Sequence, residues 1–268
     1  MQKTILITGS TDGIGLETAK ALASMGHNVL LHGRNSAKLE QAKRTVSELA
    51  EGGRVESYLA DLSRMADVDA LAKAVMDKHD SLDVLINNAG IYKTPKPITK
   101  DGLDVRFVVN TIAPYLLTKR LMPLIGSSSR VVNLSSAAQS SVTSEALAGR
   151  VRLSDDFEAF AQSKLAITMW SHCMALSFKD DGPVIVAINP GSLLATKMVK
   201  EGFGMPGKDI HIGSEILVRA ALSDEFTAAS GMYFDNDIGQ FGSPHPNALD
   251  LEKCREIEQA IETILSAY

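Results

Sequence analysis

The sequence predicts an α/β domain in which helices cover both faces of a parallel sheet. Short apolar runs alternate with longer stretches whose apolar residues recur at helical spacing. The short runs are nearly continuous in Val, Ile and Leu, as expected for strands that are buried on both faces. Alternating strands and helices of this kind pack as a doubly wound sheet in three layers. Because no linker, charge block or low-complexity stretch interrupts the chain, we expect a single domain over residues 1–268.

The predicted elements follow one another along the whole chain. Helical spacing is clear after the first strand, at Ile14, Ala19, Leu22 and Ala23. Two less regular segments, 139–156 and 192–213, each follow a predicted strand, which is where ligands bind in open α/β sheets. The predicted strands are residues 4–8, 28–32, 55–60, 82–87, 130–134, 184–189 and 232–234.

Composition and charge exclude several classes of protein. Hydrophobic residues make up 45% and charged residues 22% of the chain, which is ordinary for a globular protein with a large core. The net charge of −5 argues against nucleic acid as a partner. No apolar run reaches the roughly 18 residues that a membrane span needs. The first residues lead directly into a strand pattern, so we expect no signal peptide and a cytoplasmic protein.

A glycine-rich turn between the first strand and the first helix is the earliest functional signal. Glycines let the backbone turn tightly and approach a pyrophosphate, which then lies at the positive N-terminus of the helix. Three glycines after a strand can also make only a tight turn. The candidate phosphate-binding residues are Gly9, Ser10, Thr11, Asp12, Gly13, Ile14 and Gly15.

Four motifs in a fixed order resemble the short-chain dehydrogenase/reductase family. The glycine turn, Thr8-Gly9-x-x-x-Gly13-x-Gly15, resembles the first family signature. The resemblance implies a Rossmann-type fold in which residues 1–135 mainly bind a nicotinamide dinucleotide and 136–268 bind substrate and carry catalysis. The other three motifs are Asp61-Leu62 beside the adenine, Asn87-Asn88-Ala89-Gly90 after the fourth strand, and Pro190-Gly191 beside the nicotinamide.

Two further strings, 110–118 and 230–234, are similar to the branch of the family that includes retinol dehydrogenases and WW-domain oxidoreductases. One cofactor position departs from the family pattern. The family often has threonine four residues after the glycine of the Pro-Gly turn, whereas this chain has Ala195 there and threonine one residue later, at Thr196. The resemblance therefore assigns Thr196 to the cofactor, one position later in the chain than the family's threonine.

The residue after the second strand favours NADP(H) over NAD(H). An acidic side chain at this turn would bind the ribose 2′-hydroxyl of NAD, whereas an arginine accommodates the 2′-phosphate of NADP. Arg34 is the charged residue at the turn. A solvated surface arginine is the alternative interpretation. Asp12 works against NADP(H), because some NADP-preferring relatives carry a basic residue at that position.

The resemblance implies a catalytic serine, lysine and asparagine. Hydride transfer to a carbonyl leaves an alkoxide, so the protein must supply a proton donor, a hydrogen bond to the carbonyl and a path that refills the proton. Ser136 matches the serine, Lys164 the lysine and Asn110 the asparagine. Pro114 lies four residues after Asn110 and has no N–H, so the Asn110 carbonyl can hold a water. A simple proline kink is the alternative.

The catalytic tyrosine of the family is missing, because Phe160 stands four residues before Lys164 where the family has that tyrosine. A phenyl ring has no proton to donate. Two explanations are open: an active enzyme altered by one substitution, or a natural relative kept for binding as a sensor or partner. The retention of Ser136, Lys164 and Asn110 together favours the first.

The two less regular segments predict the substrate side. Both mix apolar and small polar residues, as in a lid over a lipophilic pocket, although ordinary loop packing gives the same composition. The candidate substrate residues are Ser136, Tyr92, Leu193 and Met198. We therefore expect a small lipophilic carbonyl or alcohol as the substrate.

Association and metal binding are the remaining expectations. Family members usually pair through the helix that carries the tyrosine motif, and the apolar stretch 166–176 allows a homo-oligomer by this route. Cys173 and Cys254 lie near no ligand-spaced histidine pair, so we predict reduced thiols and no metal site.

Overall fold

One sheet forms the centre of the fold. The computed structural model describes residues 1–178 and 181–268. The strands are β1 Thr4–Ile7, β2 Asn28–Gly33, β3 Val55–Leu59, β4 Val84–Asn87, β5 Arg130–Leu134, β6 Val184–Asn189, β7 Tyr233–Asp235 and β8 Gln240–Gly242. They lie in the order β3-β2-β1-β4-β5-β6-β7-β8, and all neighbours are parallel except β7 and β8. The predicted single-domain, doubly wound α/β fold is confirmed.

Helices connect the strands and cover both faces of the sheet. The two less regular segments of the sequence each contain a short helix, Ser144–Leu147 (α6) in the first and Lys197–Phe203 (α8) in the second. A π-helix over Val108–Ile112 joins Val105–Phe107 (α4) to Ala113–Leu121 (α5). The helices are α1 Gly13–Ser24, α2 Ser36–Glu48, α3 Met65–Met76, α4 Val105–Phe107, α5 Ala113–Leu121, α6 Ser144–Leu147, α7 Asp156–Phe178, α8 Lys197–Phe203, α9 His211–Leu222 and α10 Leu251–Leu265.

The core has two halves, one on each face of the sheet. In β1, Leu6 belongs to the half that contains α3, α5, α7 and α10. Its neighbours Ile5 and Ile7 belong to the half that contains α1, α2 and α9. Because successive side chains of a strand point to opposite faces, a strand with a core on both sides must be apolar at every position. This explains the continuous apolar runs from which the strands were predicted.

β8 was not predicted, and it makes the edge of the sheet antiparallel. It follows Gly239 and is only three residues long, which is too short for a periodicity to appear. Phe241 stabilises it, because its ring packs against Phe226 at 5.2 Å and Phe234 at 5.1 Å between ring centroids. An aromatic cluster therefore closes this end of the sheet.

The π-helix confirms that the helical segment around Asn110 is interrupted. Pro114 has no N–H for a normal bond to the Asn110 carbonyl, and the Ala113 N–H reaches back to the Val108 carbonyl instead. Single π-turns of this kind frequently occur at functional sites. Asn110 is completely buried within this turn.

The surface expected for association is covered by the chain itself. Ile167, Trp170 and Met174 of α7 are buried in the same half-core as Ile257 and Ile261 of α10. The apolar side chains on which pairing through stretch 166–176 was predicted are therefore covered by α10, and the oligomeric state stays a prediction. Among the described residues, no helix is both long enough and apolar enough to span a bilayer.

Candidate active site

The glycine turn and the Asn-Asn-Ala-Gly segment are joined into one unit. Strands β1 and β4 are neighbours, and the strand order reverses between them, which is where ligands bind in such sheets. The Thr8 hydroxyl oxygen accepts the N–H groups of Asn88 at 3.0 Å and Ala89 at 3.1 Å. The Asn88 side-chain amide donates to the carbonyls of Thr8 at 2.8 Å and Gly9 at 3.0 Å. The sequence motif therefore forms a rigid wall beside the turn.

Glycine is required at specific points of this turn. Gly9 and Gly13 adopt φ of +66° and +59°, in the left-handed region that L side chains rarely occupy. A Cβ on Gly15 would collide with the Asn88 amide and lie 2.6 Å from the Gly9 carbonyl oxygen. Asp12 caps α1, where its carboxylate accepts the Gly13 N–H at 2.8 Å. The bare backbone and the helix N-terminus fit a pyrophosphate.

Thr196 lies beside the same turn. A Cβ on Gly13 would lie 3.8 Å from the Thr196 methyl carbon. Thr196 also caps α8, and its hydroxyl oxygen accepts the Val199 N–H at 3.2 Å. The loop after Pro190-Gly191 therefore returns to the glycine turn at Thr196. This is the threonine that was predicted to bind the cofactor one position later than in the family.

The turn after β2 carries two exposed cations. Arg34 is exposed, and within residues 1–178 and 181–268 no acidic group pairs with it. Lys38 lies in the first turn of α2, and its Nζ is 3.5 Å from Asp12 Oδ2. Asn35 caps α2 by accepting the Lys38 N–H at 2.9 Å. The Lys38–Asp12 pair links this cationic turn to the glycine turn.

Asp61 and Leu62, the pair predicted to border the adenine, follow β3. The Asp61 carboxylate accepts the N–H of Ser63 at 3.0 Å and its hydroxyl at 2.8 Å. Leu62 is buried with 5% of its surface exposed. These bonds fix the backbone of the turn after β3.

Asn110, Lys164 and Met198 converge above Gly90. A Cβ on Gly90 would lie 3.5 Å from Asn110 Oδ1, 3.6 Å from Lys164 Nζ and 3.8 Å from Met198 Cε. The Asn110 side chain is fixed by the N–H and C=O of Ile91 and by the Ser163 hydroxyl, at 2.8, 3.0 and 2.9 Å. Glycine at position 90 leaves open the space that these three side chains surround.

Lys164 is a buried cation in this space. Its Nζ donates to the Leu134 carbonyl at 2.7 Å, and only 5% of the residue is exposed. Desolvation lowers the pKa of Lys164 to about 8, so the ammonium form still predominates at neutral pH. One of its three N–H bonds is used by Leu134, and the others remain for a ligand above Gly90.

Ser136 follows β5 two residues after Leu134, the residue that Lys164 binds. Its hydroxyl oxygen accepts the Ala138 N–H at 3.0 Å. Its carbonyl accepts the Tyr233 hydroxyl at 3.1 Å and the Gln139 side-chain amide at 2.9 Å. The Ser136 backbone is therefore held from two sides, and its half-buried hydroxyl keeps its own proton to donate.

Phe160 lies one helical turn before Lys164, with its ring centroid 5.7 Å from Lys164 Nζ. The Tyr92 ring meets the Phe160 ring edge to face at a centroid distance of 5.3 Å. Tyr92 also packs on α8, because a Cβ on Gly202 would lie 2.6 Å from the ring. Desolvation, followed by the charges of Asp156 and Asp155, raises the pKa of Tyr92.

Of the predicted substrate residues, no described contact joins Ser136 to this cluster, and none joins Leu193. Leu193 has φ of +58°, which is unusual for a leucine, and its carbonyl accepts the Lys208 N–H at 2.7 Å. Tyr92 and Met198 therefore line the space next to Phe160 and Lys164, whereas Leu193 shapes the adjoining loop.

The Pro190-Gly191 turn is held by the loop after β7. The Asp237 carboxylate accepts the Ser192 N–H at 2.8 Å and the Asn189 amide at 2.9 Å. Desolvation alone would raise the pKa of Asp237, but the bonds from Ser192 and Asn189 outweigh it and hold that pKa below its usual range. The Asn236 amide donates to the Pro190 carbonyl at 3.0 Å. These supports were not predicted, because their partners are more than 40 positions apart in the chain.

His32 is a further residue of the site that sequence analysis missed. It lies near the end of β2, is buried, and contacts both the glycine turn and the end of β3. A histidine in an apolar run carries no periodic signal, so only its burial beside the phosphate turn identifies it.

Comparison with known proteins agrees with this geometry. A family model described as short chain dehydrogenase matches residues 3–205. Retinol dehydrogenase 13 of Mus musculus is 29% identical, over 95% of this chain and 81% of that protein.

Solved structures of the same fold are also similar. A putative uncharacterized protein from Mycobacterium paratuberculosis has a TM-score of 0.79 and 28% identity, covering 97% of this chain and 94% of that one. A putative short chain dehydrogenase from Escherichia coli CFT073, solved in complex with NADPH, has a TM-score of 0.70 and 27% identity, covering 87% of this chain and 96% of that one.

Proposed function

The chain belongs to the short-chain dehydrogenase family, and on that premise we propose that it is an NADP(H)-binding oxidoreductase scaffold whose proton-transfer step is impaired. The reaction it is built for is the interconversion of a carbonyl and an alcohol by hydride transfer. The observation that carries this proposal is the convergence of Asn110 and Lys164 above Gly90, with Phe160 one helical turn away.

The residues around Gly90 fit a nicotinamide ribose and a reacting carbonyl. Bound NADPH supplies the hydride. Lys164 donates hydrogen bonds to the ribose hydroxyls from its remaining N–H groups. Ser136 holds the carbonyl oxygen by donating its hydroxyl proton, and stabilises the negative charge that develops there. Asn110 fixes the Ile91 backbone and, through its own carbonyl, holds the water that would refill the proton path.

Phe160 interrupts this machinery at one point. Its ring fills the volume of a phenol but offers no proton to the alkoxide. Tyr92 is a poor substitute, because burial and the nearby carboxylates raise the pKa of its hydroxyl. We therefore propose that this chain binds cofactor and substrate normally and turns over slowly.

Two observations support NADP(H) as the cofactor. Arg34 is exposed at the turn after β2, and Lys38 adds a second cation one turn into α2. The Escherichia coli relative was solved with NADPH. Guanidinium and ammonium groups together suit the doubly charged 2′-phosphate better than an uncharged hydroxyl.

The apolar side chains next to the reacting position support a lipophilic substrate. Tyr92, Phe160 and Met198 line the space beside Lys164. Retinol dehydrogenase 13 carries the name of a lipophilic alcohol. We propose a small carbonyl or alcohol with an extended apolar part, held by these side chains and by the adjoining Leu193 loop.

A second function is favoured by Phe160 itself. A chain without a proton donor that keeps a complete cofactor cradle suits a binding protein that senses the dinucleotide or presents it to a partner. The two functions differ in one measurable respect. The binding protein gains nothing from a phenol at position 160, whereas the impaired reductase does.

The test is Phe160→Tyr, assayed by NADPH oxidation over a panel of apolar aldehydes and ketones. A positioned general acid is worth about 10²–10⁴ in rate, so we expect a gain of at least about 100-fold. Phe160→Leu is the control, because it keeps an apolar side chain without a donor and should show no gain. If Phe160→Tyr binds NADPH normally and reduces none of the panel, the binding-protein function replaces the reductase.

A further inference from the structure

The His32 imidazole spans two segments of the cofactor cradle. Its Nδ1 accepts the Gly9 N–H at 3.1 Å, in the phosphate turn. Its Nε2 is 3.1 Å from the Ala60 carbonyl, directly before the Asp61-Leu62 pair that borders the adenine. Only 3% of the residue is exposed. One side chain therefore connects the phosphate side of the cradle to its adenine side.

The partners of His32 determine its tautomer. A backbone N–H can only donate, so Nδ1 must be the unprotonated nitrogen that accepts from Gly9. A carbonyl oxygen can only accept, so Nε2 must carry the proton. The ring is therefore neutral. Burial lowers the pKa of His32 to about 4, against the raising effects of the Ala60 bond and the Asp61 charge, so this neutral form persists across the physiological range.

The backbone of His32 also holds the turn. The Ser10 N–H donates to the His32 carbonyl at 3.0 Å, and the His32 N–H donates to the Ser10 hydroxyl at 2.9 Å. These bonds attach Ser10 to β2 whatever side chain occupies position 32. Only the imidazole fixes the separation between Gly9 and Ala60, because the backbone bonds do not reach Ala60.

We propose that His32 is a positioning residue for the dinucleotide, which holds the phosphate turn and the adenine border at the spacing that one bound cofactor requires. This inference rests on the proposed NADP(H) binding. An NADP(H) molecule touches both segments at once, so any change in their spacing weakens its contacts at one end.

Two substitutions test the hydrogen bonds of the His32 side chain separately from its volume. His32→Gln keeps an acceptor for Gly9 and a donor for Ala60 on a side chain that does not titrate. His32→Leu has similar apolar bulk and leaves both backbone groups unpaired. We expect His32→Leu to raise the Kd of NADPH about tenfold, as for the loss of one or two neutral hydrogen bonds. His32→Gln should stay within about threefold of the unaltered chain.

The control is a core variant that lowers stability without touching the cradle. Val46→Ala removes buried volume from the far end of α2. It should lower the free energy of unfolding and leave the Kd of NADPH unchanged. All titrations use NADPH fluorescence at a temperature where circular dichroism shows each variant to be folded.

The inference is overturned if His32→Leu binds NADPH as tightly as the unaltered chain, if His32→Gln is as weak as His32→Leu, or if Val46→Ala weakens binding equally. Failure of the unaltered chain to bind NADPH would instead remove the proposed function, and the inference with it. A tenfold loss in His32→Leu that His32→Gln restores supports the positioning role.

Discussion

At the scale of single residues, buried polar side chains with fixed partners organise the candidate site. Lys164, Asn110 and His32 are each at most 5% exposed, and each is bound to a backbone group of another segment. Desolvating such groups is costly unless they are paired, so their bonds hold the segments together as well as satisfying the side chains. The same three residues bind β5, the segment after β4, and the turns after β1 and β3.

His32 makes stability depend on pH in a specific window. Its pKa is about 4 in the folded chain and near 6.5 when unfolded, so the unfolded state binds the extra proton between these values. Stability should therefore fall as pH falls through this window, by about 2 kcal/mol from pH 7 to pH 5 for this group. Urea unfolding of the unaltered chain and of His32→Gln at both pH values isolates the contribution of His32, because all other titratable groups are present in both proteins. Equal pH slopes for the two would contradict the buried neutral ring.

Arg34 should decide between the two dinucleotides. A charged hydrogen bond to the 2′-phosphate is worth about 1.5–3 kcal/mol, so Arg34→Ala should raise the Kd of NADPH about 10- to 100-fold and leave that of NADH unchanged. Arg44→Ala is the matched control, because Arg44 is an exposed arginine further along α2. Equal binding of NADH and NADPH by the unaltered chain would show that Arg34 is only a solvated surface residue.

At the scale of elements, α10 packs against α5 and α7 and covers part of each helix. The Tyr115 hydroxyl of α5 donates to Glu262 of α10 at 2.5 Å, and Lys119 lies 3.2 Å from the same carboxylate. The apolar side of α10 buries Cys254, Ile257 and Ile261 against the α7 half-core. The face through which family members usually pair is therefore covered by a helix of the same chain.

We accordingly expect a monomer of 28.7 kDa by light scattering at micromolar concentration. Ile257→Asp should detach α10, because a buried unpaired carboxylate is costly, and should expose the apolar face of α7. The matched control is Glu256→Asp, at an exposed position of the same helix, which should remain monomeric. A dimer of the unaltered chain would contradict the covering role of α10.

At the scale of the whole molecule, the fold was predictable because the signals that specify it are local. The two-sided core makes the central strands β1, β4, β5 and β6 nearly continuous apolar runs, and the glycine turn consists of eight adjacent residues. Pro114 predicted the irregular helix at Asn110, because a proline without an N–H removes a hydrogen bond to a carbonyl only one helical turn away.

The unpredicted features depend on residues distant in sequence. His32 meets partners 23 and 28 positions away, and Asp237 meets Ser192 45 positions away. The amphipathic pattern of α10 is visible in the sequence, but nothing local specifies α7 as its partner. Such pairings are set by the topology of the sheet, which brings the carboxyl ends of its parallel strands to one edge.

The most direct test of the central claim follows the hydride itself. Phe160→Tyr is incubated with NADPH that carries deuterium at nicotinamide C4 and with the apolar carbonyl panel, and the alcohols are analysed by mass spectrometry. The account predicts deuterium on the carbinol carbon, formed at least about 100-fold faster than by the unaltered chain and lost again when Lys164→Met is added. Normal NADPH binding by Phe160→Tyr with no deuterium in any alcohol would contradict it.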